Sequence, residues 1–177
     1  MLELRPKINQ IEFELAQDTK ENELKLAGFR KLGVFRRFLL KAPLNATIYS
    51  TSSFPSSFLA GKLCDWKEAQ IDIDEVKRNS ITWLYYVDGK LDRVTIVHTD
   101  ESKPDESSPS LMLVGTFLNK LKAVYGRPEL EKNPNGEKWL WSDNDSVVIV
   151  EWDEVGPHFT LTWAYVSEKL WHKLNKP

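Results

Sequence analysis

Residues 28–41 carry Arg30, Lys31, Arg36, Arg37 and Lys41 with no acidic residue, interleaved with Phe29, Val34, Phe35, Phe38, Leu39 and Leu40. Guanidinium and ammonium groups hold phosphate or carboxylate, and aromatic rings beside them stack on bases or anchor in a partner. The same pattern also suits a strand or short helix whose apolar residues enter the core while the cations stay solvated. No nucleic-acid-binding motif accompanies the strip. Arg30, Lys31, Arg36 and Arg37 are the residues the sequence offers for anion or partner binding.

Acid–base chemistry has fewer sources. His98 is followed by Asp100 and Glu101, an acid/base or metal combination only if a loop makes the three converge. Asp143-Asn144-Asp145 and Asp153-Glu154 fall where hairpins must turn, and turns recruit Asp and Asn for backbone reasons. Asp72, Asp74 and Glu75 alternate with Ile71, Ile73 and Val76. They lack the glycine and ligand rhythm of a calcium loop and read as a charged edge strand. Cys64 has only Asp65 beside it to activate a thiol. Glycine-rich phosphate loops, Gly-x-Ser-x-Gly elbows, His-Glu-x-x-His helices and paired zinc cysteines are missing from the sequence. The expectation is a protein with no cofactor, no metal ligand set and no catalytic constellation.

Bulk properties narrow the partners. The net charge is -2 with 28% charged residues, so attraction to nucleic acid or anionic surfaces must be local. A chain of 177 residues buries one core without metals or disulfides. The single cysteine excludes an internal disulfide and fits a reducing compartment. Met1-Leu2-Glu3-Leu4-Arg5-Pro6 opens no apolar run, and no stretch reaches the roughly 20 apolar residues of a membrane span. A cytoplasmic protein without a membrane partner is expected.

The elements that must position these groups are clearest from 108 to 165. Ser108-Pro109 starts a helix, Leu111, Val114, Leu118, Leu121 and Tyr125 line one face with Phe117 and Val124 widening it, and Gly126 with Pro128 ends it. Three alternating runs follow, 138–142, 147–152 and 159–165, read as a meander. An Asn144-Asp145 turn sets Trp141 opposite Val148 and Trp139 opposite Val150; pairing Trp152 with Phe159 adds Leu161, Trp163 and Tyr165 to the same face. A face so rich in the sequence's seven tryptophans requires a cover, and the preceding helix is nearest.

Residues 81–98 form the strongest hairpin signal, with Asp88-Gly89 at the turn. A plain two-residue turn sets Trp83 opposite Val94 and Ile81 opposite Ile96. Trp83-Leu84 with Val94-Thr95-Ile96-Val97 echoes Trp139-Leu140 with Val148-Ile149-Val150. Upstream, the pattern predicts a strand at 10–16, a helix at 20–27 ended by Gly28, a short strand at 46–49, turn-rich chain through 42–62, and a strand at 70–76. A last helix capped by Ser167 shows Leu170, Trp171 and Leu174 on one side.

The fold class is α+β in one domain: an antiparallel sheet (hairpin, helix, three-stranded meander) with one main helix on its aromatic face. Residues 1–62 form an N-terminal extension and 63–177 the sheet-and-helix core. The second sheet face, with Leu140, Val147 and Ile149, is mixed and partly apolar, which marks it as an interface for another protein or a second copy in a homodimer. The first functional reading is accordingly a non-enzymatic protein-binding or assembly module. Nucleic-acid or anion binding through Arg30, Lys31, Arg36 and Arg37 comes second, and a small hydrolase using loop carboxylates with His98 third.

Overall fold

The computed structural model describes residues 6–40, 42, 44–52, 79–100, 109–155 and 158–174. The acidic run at 70–76, Cys64 with Asp65, Lys41 and Glu101 lie outside these residues. The described residues open with a small hairpin, β1 (Lys7–Ile8) and β2 (Ile11–Glu12), in place of the strand expected at 10–16. Asn9 and Gln10 both take positive φ, 48° and 70°, the conformation a tight two-residue turn needs. Helix α1 (Glu21–Leu26) follows and ends at Gly28, whose φ is 87°. Next come β3 (Arg30–Lys31), α2 (Val34–Leu39), β4 (Ala46–Thr51), β5 (Ser80–Val87) and β6 (Lys90–Asp100). Helix α3 (Pro109–Tyr125) leads to β7 (Glu129–Asn133), β8 (Gly136–Ser142), β9 (Ser146–Val155) and β10 (His158–Ser167), and α4 (Glu168–Leu174) is the last described element.

Strands β3 to β10 form one antiparallel sheet in the order β3-β4-β5-β6-β10-β9-β8-β7, a mostly-sheet α+β fold. Two four-stranded meanders meet through their last strands, β6 against β10. Residues 30–31 and 46–51 thus belong to the same sheet as the hairpin and the meander. Helix α3 must carry the chain from the central β6 to the edge strand β7, four strand spacings of roughly 4.8 Å each. Its 17 residues, at about 1.5 Å each, are long enough to cross them.

Registers depart from the simple pattern at two places. Asp88-Gly89 makes the turn and Val87 pairs with Lys90, but a bulge shifts the ladder between Tyr85 and Tyr86. Trp83 then faces Thr95 and Ile81 faces Val97, not Val94 and Ile96. The cause is the spacing of buried residues on β6. Leu91 and Val94 are three apart and both buried, at 1% and 2% exposure, so one residue, Asp92, must be left out of the pairing to keep both on one face. In the meander Trp141 pairs with Val148 and Trp139 with Val150, as the alternation predicts. Trp152, however, pairs with Leu161 and not Phe159. A slide of two residues preserves every face, and it lengthens the ladder to the Val155–His158 pair.

Strand β7 was not expected. All five of its residues are exposed, so it carries no burial pattern, and cross-strand ion pairs accompany its ladder: Glu131 to Lys138 at 3.1 Å and Lys132 to Glu137 at 3.4 Å. Gly136 after it is required by close approach, since a Cβ there would sit 1.9 Å from the Trp152 carbonyl oxygen. Trp83 lies on β5 and Trp139 on β8, which hold different ranks in the two meanders, so their sequence echo is not a structural repeat.

Among the described residues the sheet's core falls into three clusters. One joins Val114, Phe117, Leu118 and Leu121 of α3 to Trp139, Trp141, Val148, Val150 and Trp163, with Phe117 edge-on to Trp163 at 5.6 Å. A second joins Ile8, Phe13, Leu24 and Phe29 to Tyr49, Leu84, Tyr86 and Val94. Val94 and Ile96, two apart on β6, enter these two clusters, so both cover one sheet face. The third cluster lies on the opposite face and is made of Leu140, Val147, Ile149, Ala164 and Val166, with Trp171 of α4 packed on it. Lys138 Nζ stands 4.8 Å over the Trp171 ring.

Candidate docking surface around helix α2

Strand β3 is short because the chain turns into α2 at Gly33, while its partner β4 continues to Ala46. Arg30 pairs with Ser50 and Lys31 with Tyr49, and the Leu32 N–H donates to the Ile48 carbonyl at 2.8 Å. Gly33, in extended conformation with no side-chain cap, then starts α2. Arg36 and Arg37 sit in its last turn, where cations meet the negative end of the dipole. One side-chain tie fastens the helix to the sheet: Arg37 Nη1 donates to the Ala46 carbonyl of β4 at 2.8 Å.

That tie decides which way the helix faces. At about 100° per residue, Val34, Phe38, Phe35 and Leu39 occupy one arc of about 140°, with Arg36, Leu40 and Arg37 on the other side. Arg37 points to β4, so the apolar arc points away from the sheet. Val34 is 73% exposed, Phe35 73%, Phe38 78% and Leu39 63%, and α2 has no buried residue. Leu44, just beyond, is fully exposed. Of the strip's aromatics only Phe29 enters the core, at 1% exposure.

Between α2 and the sheet runs a groove of about 240 Å³. Leu32, Leu39 and Leu40 line one side and Ile81 and Trp83 of β5 the other, with Arg36 and Ser50 at its rim. Ile81, 42% exposed, and the half-buried Trp83 alternate with the buried Ser80, Thr82 and Leu84, so they project from the face opposite the α1 and α3 clusters.

The four cations singled out from sequence divide. Arg30, Lys31 and Arg36 are exposed, whereas Arg37 is half-buried and tied to β4. The three residues proposed for a sheet-face interface lie inside the chain: Leu140 is 7% exposed, Val147 1% and Ile149 5%, with Trp171 of α4 beside them. Sequence reasoning noted the α2 aromatics without fixing their direction, and it missed the contribution of Ile81 and Trp83. The signal was an apolar arc in a strip free of acid, followed by a strand whose second apolar set had no cover assigned.

The described acid–base residues do not assemble. His98 is 2% exposed and its Nδ1 lies 3.1 Å from Ser80 Oγ, both buried. His98 is opposite Leu161 and Ser146 opposite Ser167, six residues further along β10. That places the Asp143–Asp145 turn roughly 20 Å from His98 along the strands. Burial pushes the Asp143 carboxyl up, but hydrogen bonds, among them those from the Asp145 and Ser146 N–H groups and the Ser146 hydroxyl, outweigh it and hold the pKa at about 2. Asp100 and Glu154 pair with Phe159 from opposite sides, two strand spacings or about 10 Å apart. Among the described residues no group of three or more His, Cys, Asp or Glu is placed to hold a metal ion, and no described helix is long and apolar enough to cross a membrane.

Comparison with protein-family models, with curated proteins and with solved structures finds no match for this chain.

Proposed function

We propose that the chain is a non-enzymatic, cytoplasmic binding module that docks another protein through α2 and the residues beside it. The observation that carries this reading is the outward apolar arc. Burying a side chain of the Phe or Leu class stabilises by roughly 1.5–3 kcal/mol, and Val34, Phe35, Phe38 and Leu39 all stand in water on a helix of six residues. Contiguous exposed apolar surface of this kind marks interaction sites. Arg30, Lys31 and Arg36 border it, so the partner surface combines apolar side chains with carboxylates. Leu140, Val147 and Ile149 pack within the chain beside Trp171, whereas α2 offers exposed apolar surface.

The test is affinity capture from cells that express the protein, followed by reconstitution with the purified partner. A Phe35→Asp/Phe38→Asp variant should keep its melting temperature and lose at least tenfold in affinity. Equal capture by the wild type and the variant contradicts the reading. Polyanion binding is the second reading, favoured by the exposure of Arg30, Lys31 and Arg36. It predicts salt-dependent retention on heparin that disappears on reversing those three charges; absence of retention at low salt removes it.

A further inference from the structure

We infer that the groove beside α2 is an anchor pocket for one large apolar side chain of the partner, with a carboxylate next to that side chain meeting Arg36. The inference rests on the docking reading above and specifies the partner as a short acidic segment with an aromatic or leucine anchor. At about 240 Å³ the groove is smaller than the roughly 300–1,000 Å³ of pockets that take drug-sized ligands or cofactors. Its walls are apolar: Leu32, Leu39 and Leu40 on one side, Ile81 and Trp83 on the other. A single side chain inserted into a desolvated pocket is how binding energy concentrates in interfaces. Arg36 supplies the polar discrimination at the rim. Its guanidinium is exposed, and residues 28–41 contain no carboxylate of their own to neutralise it. Leu39 belongs both to the groove and to the outward arc, so a segment anchored in the groove continues across Phe35 and Phe38.

Selection of a displayed random peptide library on the full-length chain tests this, with the best peptide then synthesised and its Kd measured against variants. The enriched peptides should share an aromatic residue or leucine flanked by Asp or Glu. Ile81→Glu, at an exposed sheet position, should raise Kd at least tenfold, as should alanine at the peptide's anchor. Arg36→Glu should raise Kd about fivefold, and a lysine replacing the adjacent peptide carboxylate should restore most of that loss. Failure to enrich such peptides, or a Kd indifferent to Ile81→Glu, overturns the anchor assignment. If Phe35→Asp still abolishes binding in the second case, the docking surface stands without its anchor. A Kd unchanged by both substitutions removes both.

Discussion

Helices α2 and α3 lie against the same sheet with opposite orientations. In α3 the apolar residues turn inward: Val114, Phe117, Leu118 and Leu121 are between 0% and 6% exposed. In α2 the exposed apolar residues turn outward, and a guanidinium ties the helix to the sheet. An amphipathic pattern therefore declares that a helix has a partner without saying whether the partner is its own chain. What decides is the strongest available tie. For α3 it is a wall of indole rings; for α2 it is a charged hydrogen bond to the Ala46 carbonyl.

The contrast can be broken most forcefully in α3. Phe117→Ala removes a fully buried ring in edge contact with Trp163 and should destabilise the protein by about 3–5 kcal/mol in chemical denaturation. The equivalent change in α2, Phe38→Ala, should stay within about 0.5 kcal/mol; similar losses at both positions would erase the distinction. Next in size is Arg37→Ala. Loss of the tie to Ala46 should cost about 1–2 kcal/mol, expressed as faster hydrogen exchange in α2 while the α3 amides keep their protection.

The smallest effect concerns a charged group spent on a hairpin turn of the chain itself, in contrast to the cations α2 leaves open. Asp143 has a folded-state pKa of about 2, below its ordinary 3.8. Its carboxylate therefore contributes stability that is complete above about pH 4 and is lost as pH falls towards 2. The stability difference between wild type and Asp143→Asn should be constant from neutral pH to about 4 and shrink below it. A difference independent of pH would show that the carboxylate's hydrogen bonds do not hold its charged form.

Much of the architecture was legible because it rests on local rules. The Asp88-Gly89 turn, the pairing of Trp139 with Val150, and the limits of α3 at Pro109 and Tyr125 follow from turn chemistry, period-two alternation and capping residues. Strand β7 was illegible because its five residues are exposed on an edge and carry charge, not alternation. The bulge at Asp92 and the slide of Trp152 onto Leu161 depend on which long-range contacts win, and neither changes the residue types in a strand. At the surface, the cations of residues 30–37 were readable from composition. That Arg37 would be a fastener, and that Ile81 and Trp83 would form the facing wall of a groove, required the third dimension.

The most direct measurement of the central claim is hydroxyl-radical footprinting of the free protein, read out by mass spectrometry at individual phenylalanines. With Phe35 and Phe38 in water and Phe117 and Phe29 in the core, the first pair should be modified at least tenfold faster than the second. Comparable protection of all four rings would mean that the α2 arc is already covered, and the docking surface would not exist.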